Sequence, residues 1–154
     1  MNRGIRLLAV AFLSLGVAAL PHAASATPTQ TRSDILQLVS QTPVVEPDGD
    51  LTIRLRVTGA PVGARLRVEV HSRVPTRSDF KATLAGRVSR PRVAGPFVSP
   101  AATDASGIAV VTVTTHDLQS EGVYPVTIDL LTDKGAPLDS LLTFMVRMPL
   151  SREF

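Results

Sequence analysis

Strict alternation of apolar and polar residues in two stretches limits what this chain can become. In Leu51-Thr52-Ile53-Arg54-Leu55-Arg56-Val57 the aliphatic side chains fall on one face, and Thr52, Arg54 and Arg56 fall on the other. Leu66, Val68 and Val70 repeat the pattern with Arg65, Arg67 and Glu69 opposite. A period of two is that of a half-buried antiparallel strand, because a helix would scatter the same residues around its circumference. Gly59-Ala60-Pro61-Val62-Gly63 supplies the turn between the two strands.

The rest of the chain carries further strand signals. Val110–Thr114 and Val126–Leu131 are rich in β-formers, and Leu138–Val146 places Leu142, Phe144 and Val146 on one face. Asp133-Lys134-Gly135 joins the last two through a short hairpin, and Asp104-Ala105-Ser106-Gly107 offers the same turn chemistry before Ile108. A strand at about Ile35–Gln41 is cut by Pro43 and Pro47, which predicts an edge position. One segment departs from β character: Thr76 to Gly86 has capping residues at its start, Phe80 and Leu84 four apart, and a closing glycine. It predicts a short helix over about Ser78–Ala85. Pro91 to Ala102, with three prolines and few charges, reads as an extended crossover. Six or seven short strands with recurring turns imply an all-β sandwich or barrel.

Leu118, Gly122, Tyr124 and Val126 narrow that choice. A Leu six residues before the Tyr, a Gly two before it and a Val two after it resemble the tyrosine corner of immunoglobulin-like sandwiches, where the phenol bonds backward to the chain. The plainer alternative is a Tyr that merely begins a strand. Pro125 departs from the pattern by removing an N–H from a strand expected to be central.

At the N-terminus Arg3 and Arg6 precede Leu7–Leu20, fourteen residues without a charge, and Ala24-Ser25-Ala26 follows. This order predicts a secretory signal over residues 1–26, with cleavage leaving Thr27 first. The run is short for a membrane span, which takes about 20 apolar residues, and Ser14, Gly16 and the Ala-rich end favour processing over an uncleaved anchor. Residues 27–33 then form a flexible leader, 34–148 the folded domain, and 149–154 a tail. A chain of 154 residues without cysteine has no disulfide framework, no thiolate nucleophile and no Cys-based metal site. An exported domain of this kind relies on its core and suits a bacterial exterior.

Catalytic signals are sparse. Beyond the signal only His71 and His116 remain, no Gly-x-Ser-x-Gly elbow surrounds any serine, and no phosphate loop or dinucleotide fingerprint occurs. His116 and Asp117 are adjacent in a turn, where their side chains are expected to diverge. The reading is of a non-enzyme with no cofactor, and an unrecognised enzyme is the third alternative, disfavoured by the missing constellation. Asp48, Asp50, Asp117 and Glu121 lie in loops that meet at one pole of an immunoglobulin-like sandwich, so calcium is an open alternative to ordinary turn chemistry.

Charge is uneven. Residues 73–92 carry Arg73, Arg77, Lys81, Arg87, Arg90 and Arg92 against Asp79 alone, whereas residues 93–154 carry three basic and seven acidic groups. These six cations are the candidate anion-binding group, with anionic lipid headgroups or a phosphate-rich wall polymer as partner. The alternative is a solvated arginine-rich loop. One aromatic residue among them and the export signal argue against nucleic acid.

Two resemblances add to these readings. Thr103 to Val113 resembles the turn and strand of bacterial immunoglobulin-like repeats. The signal, the segment Pro43 to Ile53 and the Arg77-Ser78-Asp79-Phe80 helix start together resemble the N-terminal domain of long uncharacterised actinobacterial envelope proteins. The resemblance covers Ile35 to Met148 loosely and brings no catalytic motif. It implies an immunoglobulin-like (fibronectin-III-like) antiparallel sandwich of about seven strands, located in the extracytoplasmic envelope. There it would serve as an interaction or spacer module for an envelope protein or polymer. Those proteins continue into further domains and a membrane helix, so a truncated product, a fragment and a free-standing relative all remain open.

Overall fold

The computed structural model describes residues 35–101, 105–118 and 120–149. The expected signal and leader lie outside the described residues, as do Asp104 and all of the tail beyond Pro149. Seven strands and one helix follow in the order β1 (Leu36–Gln41), β2 (Asp50–Val57), β3 (Arg65–His71), α1 (Arg77–Leu84), β4 (Arg92–Pro100), β5 (Ile108–Thr114), β6 (Gly122–Leu131) and β7 (Pro137–Arg147). They form two antiparallel sheets, β1-β2-β5 and β4-β3-β6-β7. The protein is an all-β sandwich.

The period of two explains the core directly. Leu51, Ile53 and Leu55 of β2, Leu66, Val68 and Val70 of β3, and Val126, Ile128 and Leu130 of β6 are fully buried, while the residues between them face outward. Burying each such side chain is worth about 1.5–3 kcal/mol, so these inward rows hold the sheets together. As its prolines require, β1 lies at an edge, with a bulge between Leu38 and Ser40.

Two expectations are corrected. The segment from Pro91 to Ala102 is not merely an extended crossover, because its residues Arg92–Pro100 form β4 and pair with β3. Its prolines are tolerated because β4 is an edge strand whose register shifts twice. The face shared by Leu142, Phe144 and Val146 points outward: Met145 and Arg147 are the buried residues of β7, while Leu142 and Val146 are exposed. Both sides of β7 are apolar because α1 lies over its outer side, where Phe80 meets Phe144 at 4.5 Å between ring centroids.

Pro125 also finds its explanation. β3 pairs with β6 only from Val126 onward, so the missing N–H falls where β3 has already turned away. Beyond that point Val74 takes over, donating its N–H to Val123 O at 2.8 Å.

The flank between β1 and β7 is stitched shut. Gln41 Nε2 donates to Phe144 O at 2.7 Å, Thr143 Oγ1 donates to Gln41 Oε1 at 2.8 Å, and Leu36 N donates to Asp139 Oδ2 at 3.0 Å. Val45 then forms a parallel bridge with Arg147, and the buried Arg147 guanidinium donates through Nη2 to Pro47 O at 2.8 Å.

Candidate anion-binding surface

The helix that presents the cations is specified at both ends. Thr76 is the N-cap: its Oγ1 accepts from Asp79 N at 3.1 Å and donates to the Asp79 carboxylate. At the other end Gly86 adopts φ +66°, Gly86 N donates to Thr83 O and Arg87 N donates to Ala82 O. This pair of bonds is a Schellman motif, and the positive φ is why a glycine stands there. Phe80 faces β7 and Thr83 is buried, but Leu84, four residues after Phe80, is 54% exposed. The helix is one residue out of phase with the Phe80/Leu84 stripe, because its inner face is set by Phe80 and Thr83.

The six candidate cations divide into two sets. Arg90 acts as a clamp under the helix: Nε donates to Thr83 Oγ1 at 3.3 Å, Nη1 to Arg73 O at 3.2 Å, and Nη2 lies 3.2 Å from Asp79 Oδ1. Its side chain is only 12% exposed. Arg73 donates to Glu121 O at 3.2 Å, and its chain runs so close to Gly122 that an added Cβ there would sit 2.5 Å from Arg73 Cδ. Arg92 pairs with Glu69 at 3.2 Å. All three have partners within the fold, although only Arg90 is largely buried and Arg73 and Arg92 remain exposed. Arg77, Lys81 and Arg87 are exposed and have no hydrogen-bond or ion-pair partner among the described residues. Arg77 and Lys81 are four apart on one helix face, with Arg87 just beyond the glycine cap.

Sequence reasoning missed the charge ladder on the same sheet. Ser140 Oγ donates to Asp129 Oδ1 at 2.8 Å, Arg67 donates through Nη2 at 2.7 Å and Nε at 3.2 Å to Asp129 Oδ2, and Glu69 links Arg67 to Arg92. The ladder runs across all four strands. Its hydrogen bond to Asp129, with the nearby carboxylates, holds the Arg67 pKa above its ordinary value, against the lowering effect of burial. Outward-pointing Arg67 and Glu69 were visible as alternation, but their meeting with Asp129 depends on register. A second missed pair, Arg54 and Arg56, is exposed on the other sheet with no such partner among the described residues.

The remaining candidates are placed as follows. Tyr124 is buried, and its hydroxyl donates to Ser120 O at 2.6 Å, tying the loop before β6 to the strand. The loops carrying Asp48 and Asp117 do meet, since Thr115 Oγ1 donates to Gly49 O at 2.6 Å. Among the described residues, however, no three Asp, Glu or His side chains converge as a metal would need. His116 and Asp117 do not diverge: Nε2 and Oδ1 are 3.4 Å apart, but the two side chains are 64% and 83% exposed. His71 is held beneath the start of β4, with Nδ1 donating to Arg90 O at 3.0 Å and Nε2 2.9 Å from Thr127 Oγ1. Among the described residues no helix is long and apolar enough to cross a membrane.

No protein-family model matches the chain, and no curated protein does.

Proposed function

We propose that the protein is an exported, non-enzymatic interaction module of a bacterial envelope, with an immunoglobulin-like sandwich that contacts phosphate-bearing partners through Arg77, Lys81 and Arg87. The strand order and the Tyr124 to Ser120 bond support the immunoglobulin-like reading. The observation that carries the functional reading is the division of the cations. Three are partnered within the fold, and three stand unpaired among the described residues on one capped helix and its cap.

The shared chemistry is phosphate, whether on an anionic lipid headgroup or on a wall polymer. Binding to vesicles containing phosphatidylglycerol, and separately to a poly(glycerol phosphate), is measured at low and at physiological salt. Attraction between exposed charges is screened over about 8 Å at physiological ionic strength, so binding weakens steeply as salt rises. Replacing Arg77, Lys81 and Arg87 together by Ser abolishes it with little change in melting temperature, since exposed charges contribute little to stability. The Arg54→Ser/Arg56→Ser variant keeps it. If the triple variant binds as well as the parent, or if neither binds at low salt, the contact surface is refuted and a spacer role stands. Export is tested separately by intact mass: the mature chain begins at Thr27, and recovery of Met1 on the extracellular form overturns it.

A further inference from the structure

The segment that carries the unpaired cations also carries aliphatic side chains that the fold leaves in solvent. Leu84 is 54% exposed and Val88 37% exposed. Arg77, Lys81 and Leu84 stand four and three residues apart on α1. At 3.6 residues per turn they fall within about 60° of one another, on one side of the helix. Arg87 and Val88 follow the Gly86 cap at the end of α1 where Leu84 stands.

The one carboxylate of residues 73–92 is engaged within the segment. Asp79 Oδ1 lies 3.2 Å from Arg90 Nη2, and Oδ2 accepts from Thr76 Oγ1 at 2.5 Å. The surface therefore presents three unpaired cations beside two aliphatic side chains, with no free anion of its own.

We propose that this surface docks on an anionic lipid bilayer, with Arg77, Lys81 and Arg87 at the phosphates and Leu84 and Val88 entering the boundary of the acyl chains. The proposal rests on the phosphate reading above and names the source of the phosphate. A bilayer lays a plane of phosphates over an apolar phase, so both halves of the surface find a match in it. A poly(glycerol phosphate) offers the charge without the apolar phase and leaves Leu84 and Val88 in water. Long Arg and Lys side chains reach back to the phosphates while a shorter Leu lies deeper, so both contacts form from one side of the helix. Because α1 is eight residues long and is held on β7 through Phe80, the contact is peripheral and reversible.

The exported form of the chain, begun at Thr27, is titrated with phosphatidylglycerol vesicles and with poly(glycerol phosphate). The parent should bind the vesicles more tightly than the polymer. Leu84→Ser/Val88→Ser should weaken vesicle binding about ten-fold and leave polymer binding unchanged, whereas Leu84→Phe should strengthen vesicle binding. Both positions are exposed, so these variants should melt as the parent does. The chain has no cysteine, so an environment-sensitive dye on Leu84→Cys reports the contact directly. Its emission should shift to the blue on vesicles and stay unchanged on the polymer. A parent that binds neither phosphate source at low salt overturns the phosphate reading and this proposal together. This proposal alone is overturned if the Arg77, Lys81 and Arg87 triple variant loses vesicle binding but Leu84→Ser/Val88→Ser keeps it. A parent that binds the polymer but not the vesicles, or a dye that stays in water on the vesicles, overturns it in the same way.

Discussion

The outward faces of the two sheets begin from the same sequence pattern and end differently. Arg54 and Arg56 alternate with the buried residues of β2 just as Arg65 and Arg67 alternate with those of β3. On the three-stranded sheet Arg54 and Arg56 meet only solvent among the described residues. On the four-stranded sheet Arg67 meets Asp129, 62 residues away in sequence, and the ladder continues to Ser140 and Arg92. One end of that face is then covered by α1. Alternation decides which side chains point outward, while the neighbouring strand decides what they find there.

The largest test of the difference removes the ring that receives the helix. Phe144→Ala should destabilise by about 2–3 kcal/mol, below the cost of a fully buried Phe because this ring is half-buried. Val110→Ala, on the bare face, should cost less than about 0.5 kcal/mol. Chemical denaturation of both variants measures the gap, and equal losses would mean that α1 is not anchored through Phe80 and Phe144.

Within the helix region, Arg90→Ala should cost about 1–2 kcal/mol because it releases two hydrogen bonds and an ion pair at a mostly buried guanidinium. Arg87→Ala, three residues earlier, should leave the melting temperature nearly unchanged. A neutral Arg90→Ala would remove the distinction between structural and free cations. Tyr124→Phe should lose about 1 kcal/mol, since Ser120 O would be left without its donor. An unchanged unfolding midpoint would argue that this corner adds nothing to stability.

Smaller effects belong to the ladder. Asp129→Asn should cost about 0.5 kcal/mol at low salt and less at high salt, whereas Arg54→Ser should register no change. The raised pKa of Arg67 fixes the sign of its pH dependence. Its contribution is complete below the ordinary arginine value and is lost only as pH rises through the still higher folded value. Melting between about pH 6 and pH 10 should therefore carry no signature of Arg67, and one assignable to it by Arg67→Met would contradict the pairing.

Much of the sandwich was legible along the chain. The inward rows of β2 and β3, the edge position of β1, the hairpin at Gly135 and the capped helix each follow from local pattern or turn chemistry. The candidate surface was legible only as composition. Six cations in twenty residues were countable, yet their division was not, because Asp79, Thr83, Glu69 and Glu121 reach them through helix phase and strand pairing.

By itself the sequence determined the period of two, hence an all-β chain with one short capped helix, because side-chain alternation and terminal hydrogen bonding are properties of neighbours. Tertiary structure alone decided that Phe144 faces outward, that Arg92–Pro100 is a strand, and that Arg90 is a clamp while Arg87 is free. The physical reason is the same in each case. An apolar ring, an edge strand or a cation takes its role from the surface it meets, and that surface is built by residues far away in the chain.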